Sequence, residues 1–135
     1  MNFNYFSFGT VGPIKKGMSR VQLRSTLGEG FEEFKKTLSS VNTTDAYDCF
    51  GLHVYYDEGD SVKGVEFFTG SSFSWMDKRV LGESVLDVRR IFEESGEVLD
   101  FNSSGFNVVR LGLRFYAPDI GEEDAAVEAV YVVLN

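Results

Sequence analysis

The sequence repeats one pattern about 65 residues further along the chain, and this repeat constrains the fold more than any other feature. The segment Gly17-Met-Ser-Arg-Val-Gln-Leu-Arg-Ser-Thr-Leu27 aligns with Gly82-Glu-Ser-Val-Leu-Asp-Val-Arg-Arg-Ile-Phe92. Gly, Ser and Arg recur at the same places, with an offset of 65 residues (17 to 82). A chain built in this way is expected to form two similar units rather than one unrelated series of elements.

Two later blocks repeat in the same order. Val62-Lys-Gly-Val-Glu-Phe-Phe68 matches residues 127–133 at the offset of 65, and Gly51-Leu-His-Val-Tyr-Tyr56 matches residues 112–117 at an offset of 61. The alternative is a chance likeness of strand composition, since identity between the copies is low. The blocks predict a single domain, 1–135, of two repeats. These repeats span about 10–70 and about 75–135.

Each copy begins with the signals of a helix. Ser19 and Ser84 are typical N-cap residues, because a serine hydroxyl accepts hydrogen bonds from free backbone N–H groups of the first turn. Gly28 and Gly96 are candidate stops. Apolar residues then recur at the spacing of an amphipathic helix, at Val21, Leu23 and Leu27 in the first copy and at Val85, Val88, Ile91 and Phe92 in the second.

Each copy ends with strand signals. Apolar residues alternate over 52–56, and the acidic turn 57–60 leads into 62–68, a pattern that predicts a hairpin. In the second copy the corresponding strands are 111–117 and 126–134, joined by the longer loop 118–124.

Other segments add to these hairpins. Residues 47–50 and 106–109 are expected to begin the sheet in each unit, 3–8 to add an edge strand, and 31–38 to form either a short helix or a strand. The predicted class is α+β, with two tandem helix-then-antiparallel-strand units forming a sheet of four to eight strands and both helices on one face. The copies either continue one sheet or lie side by side about a pseudo-twofold axis.

Charge and composition exclude several functions. The chain has 21 Asp and Glu against 13 Lys and Arg, a formal net charge of −8, which disfavours binding to nucleic acid phosphates. The first residues carry neither a basic segment nor a long apolar run, so neither a signal peptide nor a membrane anchor is expected. With a single cysteine as well, we expect a cytoplasmic protein that makes no membrane contact.

Residues suited to catalysis or metal binding are few. His53, the only histidine, lies on the strand face opposite Leu52 and Val54, where a structural role is expected and a catalytic or protonation role is the alternative. Cys49 is expected in a strand as a buried, inert thiol. One cysteine and one histidine cannot form a zinc site, and the turn 57–60 lacks the ligand alternation of a calcium loop. We therefore expect no enzyme, no metal and no cofactor.

Acidic residues cluster in the two equivalent turns. They are Asp57, Glu58 and Asp60 in the first copy, and Asp119, Glu122, Glu123 and Asp124 in the second. If both turns project from comparable edges of the sheet, they would grip a basic partner bivalently, with Tyr55, Tyr116, Phe73 or Trp75 as aromatic anchors. The alternative is that Asp and Glu are ordinary turn residues here.

Two family resemblances bear on function. Gly-Met-Ser-x-x-Gln-Leu-Arg-x-x-Leu-Gly at 17–28 resembles the helix signature of the BamE-like and β-lactamase-inhibitor-protein-like families, whose units run helix first and antiparallel strands after. Tandem duplication of that unit also resembles the inhibitor protein, which blocks an enzyme with its sheet. This chain lacks the lipobox of the lipoproteins and the disulfides of the secreted inhibitor.

The stretch 51–59 together with 62–68 is similar to small, acidic bacterial immunity proteins of contact-dependent growth inhibition and related polymorphic toxin systems. That resemblance implies a cytoplasmic protein that covers the active site of a cognate toxin, often a basic nuclease. We therefore expect an immunity or inhibitor protein that binds and neutralises a basic toxin domain without catalysis. The alternative is a small-molecule or scaffold-binding module with an apolar groove between the repeats. A third possibility is an enzyme that uses His53 with a nearby carboxylate.

Overall fold

Two α-helices and twelve short strands make up the computed structural model, which describes residues 1–135. In chain order the elements are β1 (Phe3–Tyr5), β2 (Thr10–Val11), β3 (Ile14–Lys15), α1 (Arg20–Leu27), β4 (Glu32–Phe34), β5 (Thr44–Tyr47), β6 (Leu52–Tyr56), β7 (Val62–Phe68), β8 (Phe73–Trp75), α2 (Val85–Glu94), β9 (Asp100–Asn102), β10 (Gly105–Val108), a 3-10 turn (Val109–Leu111), β11 (Leu113–Tyr116) and β12 (Ala129–Val133).

Eight of the strands form one antiparallel sheet in the order β4-β5-β6-β7-β12-β11-β10-β9. Strands β4 to β7, which follow α1, make one half, and strands β9 to β12, which follow α2, make the other. The halves meet where β7 pairs with β12 at the centre. The predicted α+β class is therefore confirmed, with eight antiparallel strands in a single continuous sheet.

The strand register is the same in the two halves. Leu52 faces Phe67 in the β6–β7 hairpin. Leu113, 61 positions after Leu52, likewise faces Val132, 65 positions after Phe67, in the β11–β12 hairpin. The central pairing is symmetric about Glu66, which faces Tyr131. Equivalent side chains therefore occupy equivalent places on each side of the sheet's centre.

Both helices begin at the predicted serines. The Ser19 hydroxyl accepts from the backbone N–H of Gln22, whose side chain in turn accepts from the Ser19 N–H, forming a capping box. Ser84 accepts from the backbone N–H of Asp87. Gly28 ends α1 as predicted. Along α1, however, Val21 is exposed, and Arg20 is buried beside Leu23 and Leu27.

The two helices pack on the same face of the sheet. Arg24 of α1 binds Asp45 on β5, and Phe92 of α2 lies 5.4 Å from Phe115 on β11, measured between ring centroids. The alternation of the strands, through the register, puts both of these sheet residues on one face. Buried apolar residues from both halves form one core cluster of 28 residues on this side.

A small parallel sheet packs against the same core. Residues 3–8 were expected to add an edge strand to the main sheet. Strand β1 instead pairs with β8 in a separate sheet, so that prediction was wrong. The Phe3 ring lies 5.3 Å from Phe67 of β7, and Trp75 lies 4.4 Å from Phe92 of α2. The opposite, helix-free face of the main sheet carries neither helix and no part of the β1–β8 sheet.

Several predicted segments differ in detail. Within the stretch 31–38, residues Glu32–Phe34 form the edge strand β4. The predicted strand start at 47–50 is instead the end of β5 at Tyr47 followed by a turn. Cys49 lies in that turn and is exposed, so the prediction of a buried thiol within a strand was wrong. A polar turn returns the chain to β6 at this point and leaves the side chain in solvent.

Candidate binding surface

One row of side chains crosses the helix-free face at its centre, with one residue from each of the eight strands. We call this row the central row. Its members are Glu32, Ala46, His53, Glu66, Tyr131, Arg114, Asn107 and Asp100. Directly paired side chains on neighbouring strands lie close enough to interact. Charged, polar and aromatic groups therefore form a strip across the sheet, which the buried Ala46 interrupts between Glu32 and His53.

Aromatic rings surround the middle of the central row. His53 contacts two phenylalanine rings edge-on, with centroid distances of 4.8 Å to Phe68 and 5.5 Å to Phe34. Tyr55 and Tyr131 lie 5.8 Å apart across the β6–β7–β12 strands. All of these side chains except Phe34 come from the three central strands, so rigid elements hold them.

Glu66 is the carboxylate at the centre of these rings. It faces His53 on β6 and Tyr131 on β12, and it is only partly buried. The Tyr55 hydroxyl donates to its Oε1 at 2.9 Å. No other side chain of the protein forms a hydrogen bond or ion pair with this carboxylate.

Gly64 shapes the surface beside Glu66. A Cβ atom at this position would meet the Tyr131 Oη at 2.0 Å and its Cζ at 2.2 Å. The tyrosine ring therefore lies against the bare backbone of β7, where only glycine leaves room for it. This contact brings Tyr131 toward Tyr55 on the far side of the same strand.

The two tyrosines keep their hydroxyl protons at neutral pH. Burial, together with the hydrogen bond to Glu66, raises the pKa of Tyr55 well above its usual range. Burial also raises the pKa of Tyr131, against the lowering effect of nearby Arg114. Both side chains therefore carry neutral hydroxyl groups, and that of Tyr55 is bonded to Glu66.

Cationic side chains of the protein itself already lie over these rings. The Lys36 ammonium sits 4.7 Å from the centroid of Tyr55, and the Arg114 guanidinium carbon sits 5.5 Å from that of Tyr131. The faces of the rings are therefore placed to attract positive charge. Neither cation comes within ion-pair distance of Glu66.

Two of the three predicted acidic residues of the first turn, Asp57 and Asp60, have structural partners. Asp57 accepts from the backbone N–H of Ser61 at 3.0 Å, and Glu58 is exposed. Asp60 pairs with Arg20 at 2.8 Å and accepts from Asn42 at 2.8 Å. The contact with Arg20 lowers the pKa of Asp60. Of the three carboxylates, Asp60 is the one whose charge the protein already neutralises.

The acidic residues of the second turn are all exposed: Asp119, Glu122, Glu123 and Asp124. The two turns nevertheless lie at opposite ends of the sheet. The first turn immediately precedes β7 and lies near the Gly64–Val133 pair, where β12 ends. The second turn precedes β12 and lies near the Phe68–Ala129 pair, where β7 ends. Four residue rises along the strand, from 64 to 68, separate the turns by about 14 Å or more. The turns thus occupy equivalent places in the two halves but point to opposite ends of the sheet, because the central strands run antiparallel.

The predicted aromatic anchors divide between the two faces. Tyr55 and Tyr116 belong to the helix-free face, where Tyr116 is 47% exposed but Tyr55 is buried at 7%, so of these two only Tyr116 offers surface to a partner. Trp75 and Phe73 are buried, at 6% and 3% exposure, in the β1–β8 sheet over the core. Their assignment as partner anchors is therefore corrected: they fill the space between the helices and offer no surface to a partner.

The same aromatic residues belong to the packing on the helix side of the sheet. Phe3, Phe73 and Trp75 occupy the region between the two helices against Phe67 and Phe92. The apolar groove expected between the repeats stays a prediction.

A buried ionic cluster lies on the helix side of the first half, and the sequence analysis missed it. Asp45, with no exposed surface, accepts from Arg20, Arg24 and the Tyr56 hydroxyl. The Asp45 carboxylate raises the pKa of Arg24 through these hydrogen bonds. The Thr43 hydroxyl, followed by Arg24, lowers the pKa of Glu33.

In the second half, Phe106 stands at the position equivalent to Asp45, facing Phe115 as Asp45 faces Val54. The Phe106 ring stacks on Phe115 at 4.9 Å, so aromatic packing replaces the ionic cluster there. The two halves therefore share a register but not an interior.

The side chains that could take part in catalysis or metal binding are dispersed over the structure. No group of three or more His, Cys, Asp or Glu side chains is arranged to hold a metal ion. His53 lies between two phenylalanine rings and makes no hydrogen bond to a carboxylate. No helix is long and apolar enough to span a membrane.

Comparisons with protein-family models, with curated proteins and with solved structures find no match for this chain. Functional inference therefore rests on the fold and on the helix-free face.

Proposed function

We propose that this protein is an immunity or inhibitor protein that binds a cognate toxin domain and neutralises it without catalysis. The observation that carries the proposal is the central row, a strip of partly exposed aromatic and charged side chains on the face that no helix covers. Rigid strands that display aromatic rings around an incompletely paired charge have the character of a protein interface.

The proposed toxin domain is basic and of the nuclease type. A net charge of −8 favours long-range attraction of a cationic partner and raises the rate of encounter. The exposed acidic turns at opposite ends of the sheet extend this attraction beyond the central row. The partner is thus expected to lie across the sheet rather than to grip one edge.

We also infer that the chain consists of two tandem helix-then-strand units. Equivalent backbone hydrogen bonds support this inference at the predicted offset of 65 residues. In the first unit the Val62 N–H donates to Met18 O, and in the second the Val127 N–H donates to Glu83 O. In the same way, the Arg20 N–H donates to Asp60 O and the Val85 N–H donates to Ala125 O. Each helix start is thus fastened to the last strand of its own unit in the same way.

The resemblance to tandem inhibitor proteins that block an enzyme with their sheet agrees with this use of the helix-free face. The resemblance to immunity proteins of contact-dependent growth inhibition adds a bacterial, cytoplasmic setting to the proposal. There the inhibitor would protect its own cell by covering the active site of the toxin.

Co-purification and rescue test this function together. A tagged copy of the protein is expressed in its source organism, and the product of the adjacent upstream gene is assayed for binding and for toxicity in a heterologous host. We expect the neighbour to be toxic, basic and neutralised by co-expression of this protein. A neighbour that is harmless, or one that stays toxic despite co-expression, contradicts the proposal.

A further inference from the structure

Glu66 is a partly buried carboxylate with only one of its two oxygens hydrogen-bonded by the chain. Its Oε1 accepts from Tyr55, and its Oε2 receives no hydrogen bond from the chain. No buried side-chain oxygen or nitrogen lacks a partner, so this Oε2 is open to solvent. One oxygen is therefore fixed by the protein and the other is free for a ligand.

The contrast with Asp45 shows how this chain satisfies a carboxylate that has a structural role. Asp45 is enclosed by Arg20, Arg24 and Tyr56, and both of its oxygens accept hydrogen bonds. Glu66 lies in the most central strand pair of the sheet, yet it has no cationic partner. A partly desolvated charge without a counter-charge favours an incoming cation.

The rings around Glu66 favour one kind of cation. His53 and Tyr131 flank it on the neighbouring strands, Tyr55 lies diagonally across, and Phe68 follows two residues later on the same face. A planar guanidinium donates hydrogen bonds to a carboxylate and stacks on aromatic faces at the same time. An ammonium group would use the charge but less of the ring surface.

We propose that the helix-free face docks its protein partner through an arginine side chain that donates to Glu66 Oε2 beside the partly exposed rings of Tyr131, His53 and Phe68. The inference rests on the proposed function, since it names the chemistry by which a basic toxin domain is recognised. Charge complementarity selects the occupant: a net charge of −8 repels a second copy of this chain and attracts a basic surface.

The probe is the tripeptide acetyl-Gly-Arg-Gly-amide, titrated into isotope-labelled protein and followed by NMR. The control peptide carries citrulline, which has nearly the shape of arginine and no charge. We expect the arginine peptide to shift the Glu66 side-chain carboxyl signal and the Tyr131 ring signals, with saturation at about 1–20 mM for a single ionic contact. The citrulline peptide is expected to leave these signals in place.

Two variants locate the effect. Glu66→Gln keeps the size of the side chain and an acceptor for Tyr55 but removes the charge, so binding of the arginine peptide is expected to weaken about tenfold or more. Glu32→Gln is the matched control, because Glu32 lies in the same row on the exposed edge strand without surrounding rings. That variant is expected to bind like the original protein.

Several outcomes overturn the site. They are no shift at tens of millimolar peptide, shifts concentrated at the acidic turns, equal binding by Glu66→Gln, and shifts on dilution without peptide, which would make a second copy the occupant. Failure of the arginine site can be distinguished from failure of the proposed function. Arginine binding at Glu66 beside a harmless gene neighbour would remove only the toxin proposal, and a neutralised toxin indifferent to Glu66→Gln would remove only the site.

Discussion

Arg24 binds Asp45 through two hydrogen bonds, from Nε to Oδ2 at 2.9 Å and from Nη2 to Oδ1 at 2.8 Å. The carboxylate has no exposed surface and also accepts from Arg20 at 3.2 Å. Two arginines of α1 thus share one buried counter-charge on β5. This cluster joins the first helix to the sheet where the second half of the protein uses aromatic rings.

Asp45→Asn is expected to destabilise the protein strongly. The change leaves the buried Arg20 without its full counter-charge, and loss of one partner from a buried pair costs about 3–5 kcal/mol. Urea unfolding measures the difference. Glu33→Gln is the control, since Glu33 also pairs with Arg24 but is 47% exposed, and such surface pairs contribute about 0.2–1 kcal/mol. Equal losses in the two variants would show that the cluster is not a buried unit.

Acid is expected to weaken the fold through the same region. The Thr43 hydroxyl and then Arg24 lower the pKa of Glu33 from its usual 4.5, and Arg20 lowers the pKa of Asp60 from its usual 3.8. A carboxylate with a lowered folded-state pKa stabilises the protein above the unfolded pKa, and this contribution is lost as pH falls through the folded value. Stability should therefore decline below about pH 4.5.

Urea midpoints measured between neutral pH and pH 3 test this decline. The double variant Glu33→Gln/Asp60→Asn is expected to be less stable at neutral pH and to lose less on acidification, because it has no such carboxylates to protonate. An identical pH profile in the original protein and the double variant would contradict the assignment to these two residues.

Local sequence signals predicted the elements that local physics determines. The capping serines, the Gly28 stop and the β6–β7 hairpin each depend on residues a few positions apart. The alternation of β6 also placed His53 and Tyr55 on the face opposite Leu52 and Val54. Those predictions were confirmed, because neighbouring residues alone decide them.

The ionic cluster needed a long-range partner and was missed, although α1 contains a usable signal. Arg20 and Arg24 recur at helical spacing on the same side of α1 as Leu23 and Leu27. This spacing indicates two charges that face the sheet and require a carboxylate partner. Val21 was read as part of the apolar stripe, but it is 76% exposed.

The sequence did not predict the central row either. Glu66 meets Tyr131 only through the pairing of β7 with β12, which joins residues 65 positions apart. The opposite placement of the two acidic turns follows from the same antiparallel pairing, which sequence similarity between the copies does not determine.

Cys49 is expected to react in the native protein. Its side chain is exposed in the turn between β5 and β6 and forms no disulfide. Without denaturant, the original protein should release one equivalent of chromophore from a thiol reagent such as Ellman's. Cys49→Ser should abolish the reaction and change the unfolding free energy by no more than about 0.5 kcal/mol. A thiol that reacts only in denaturant would instead support a buried side chain.

Gly64→Ala is expected to disturb the centre of the helix-free face. The added methyl group would lie 2.0 Å from the Tyr131 Oη, so the ring must swing away from β7 and from Tyr55. Crowding of this kind costs about 1–3 kcal/mol. Near-ultraviolet circular dichroism reports the displaced tyrosine, and urea unfolding reports the loss of stability.

Gly59→Ala provides the comparison, because its new Cβ meets only Asp57 Oδ1 at an ordinary 3.5 Å and its backbone is not left-handed. That variant should keep its stability within about 0.5 kcal/mol. If Gly64→Ala were as stable as Gly59→Ala, with an unchanged aromatic spectrum, Tyr131 would not depend on the bare backbone of β7. A displaced Tyr131 would also remove one wall beside Glu66, so the same variant should weaken binding of the arginine peptide while leaving the carboxylate charge intact.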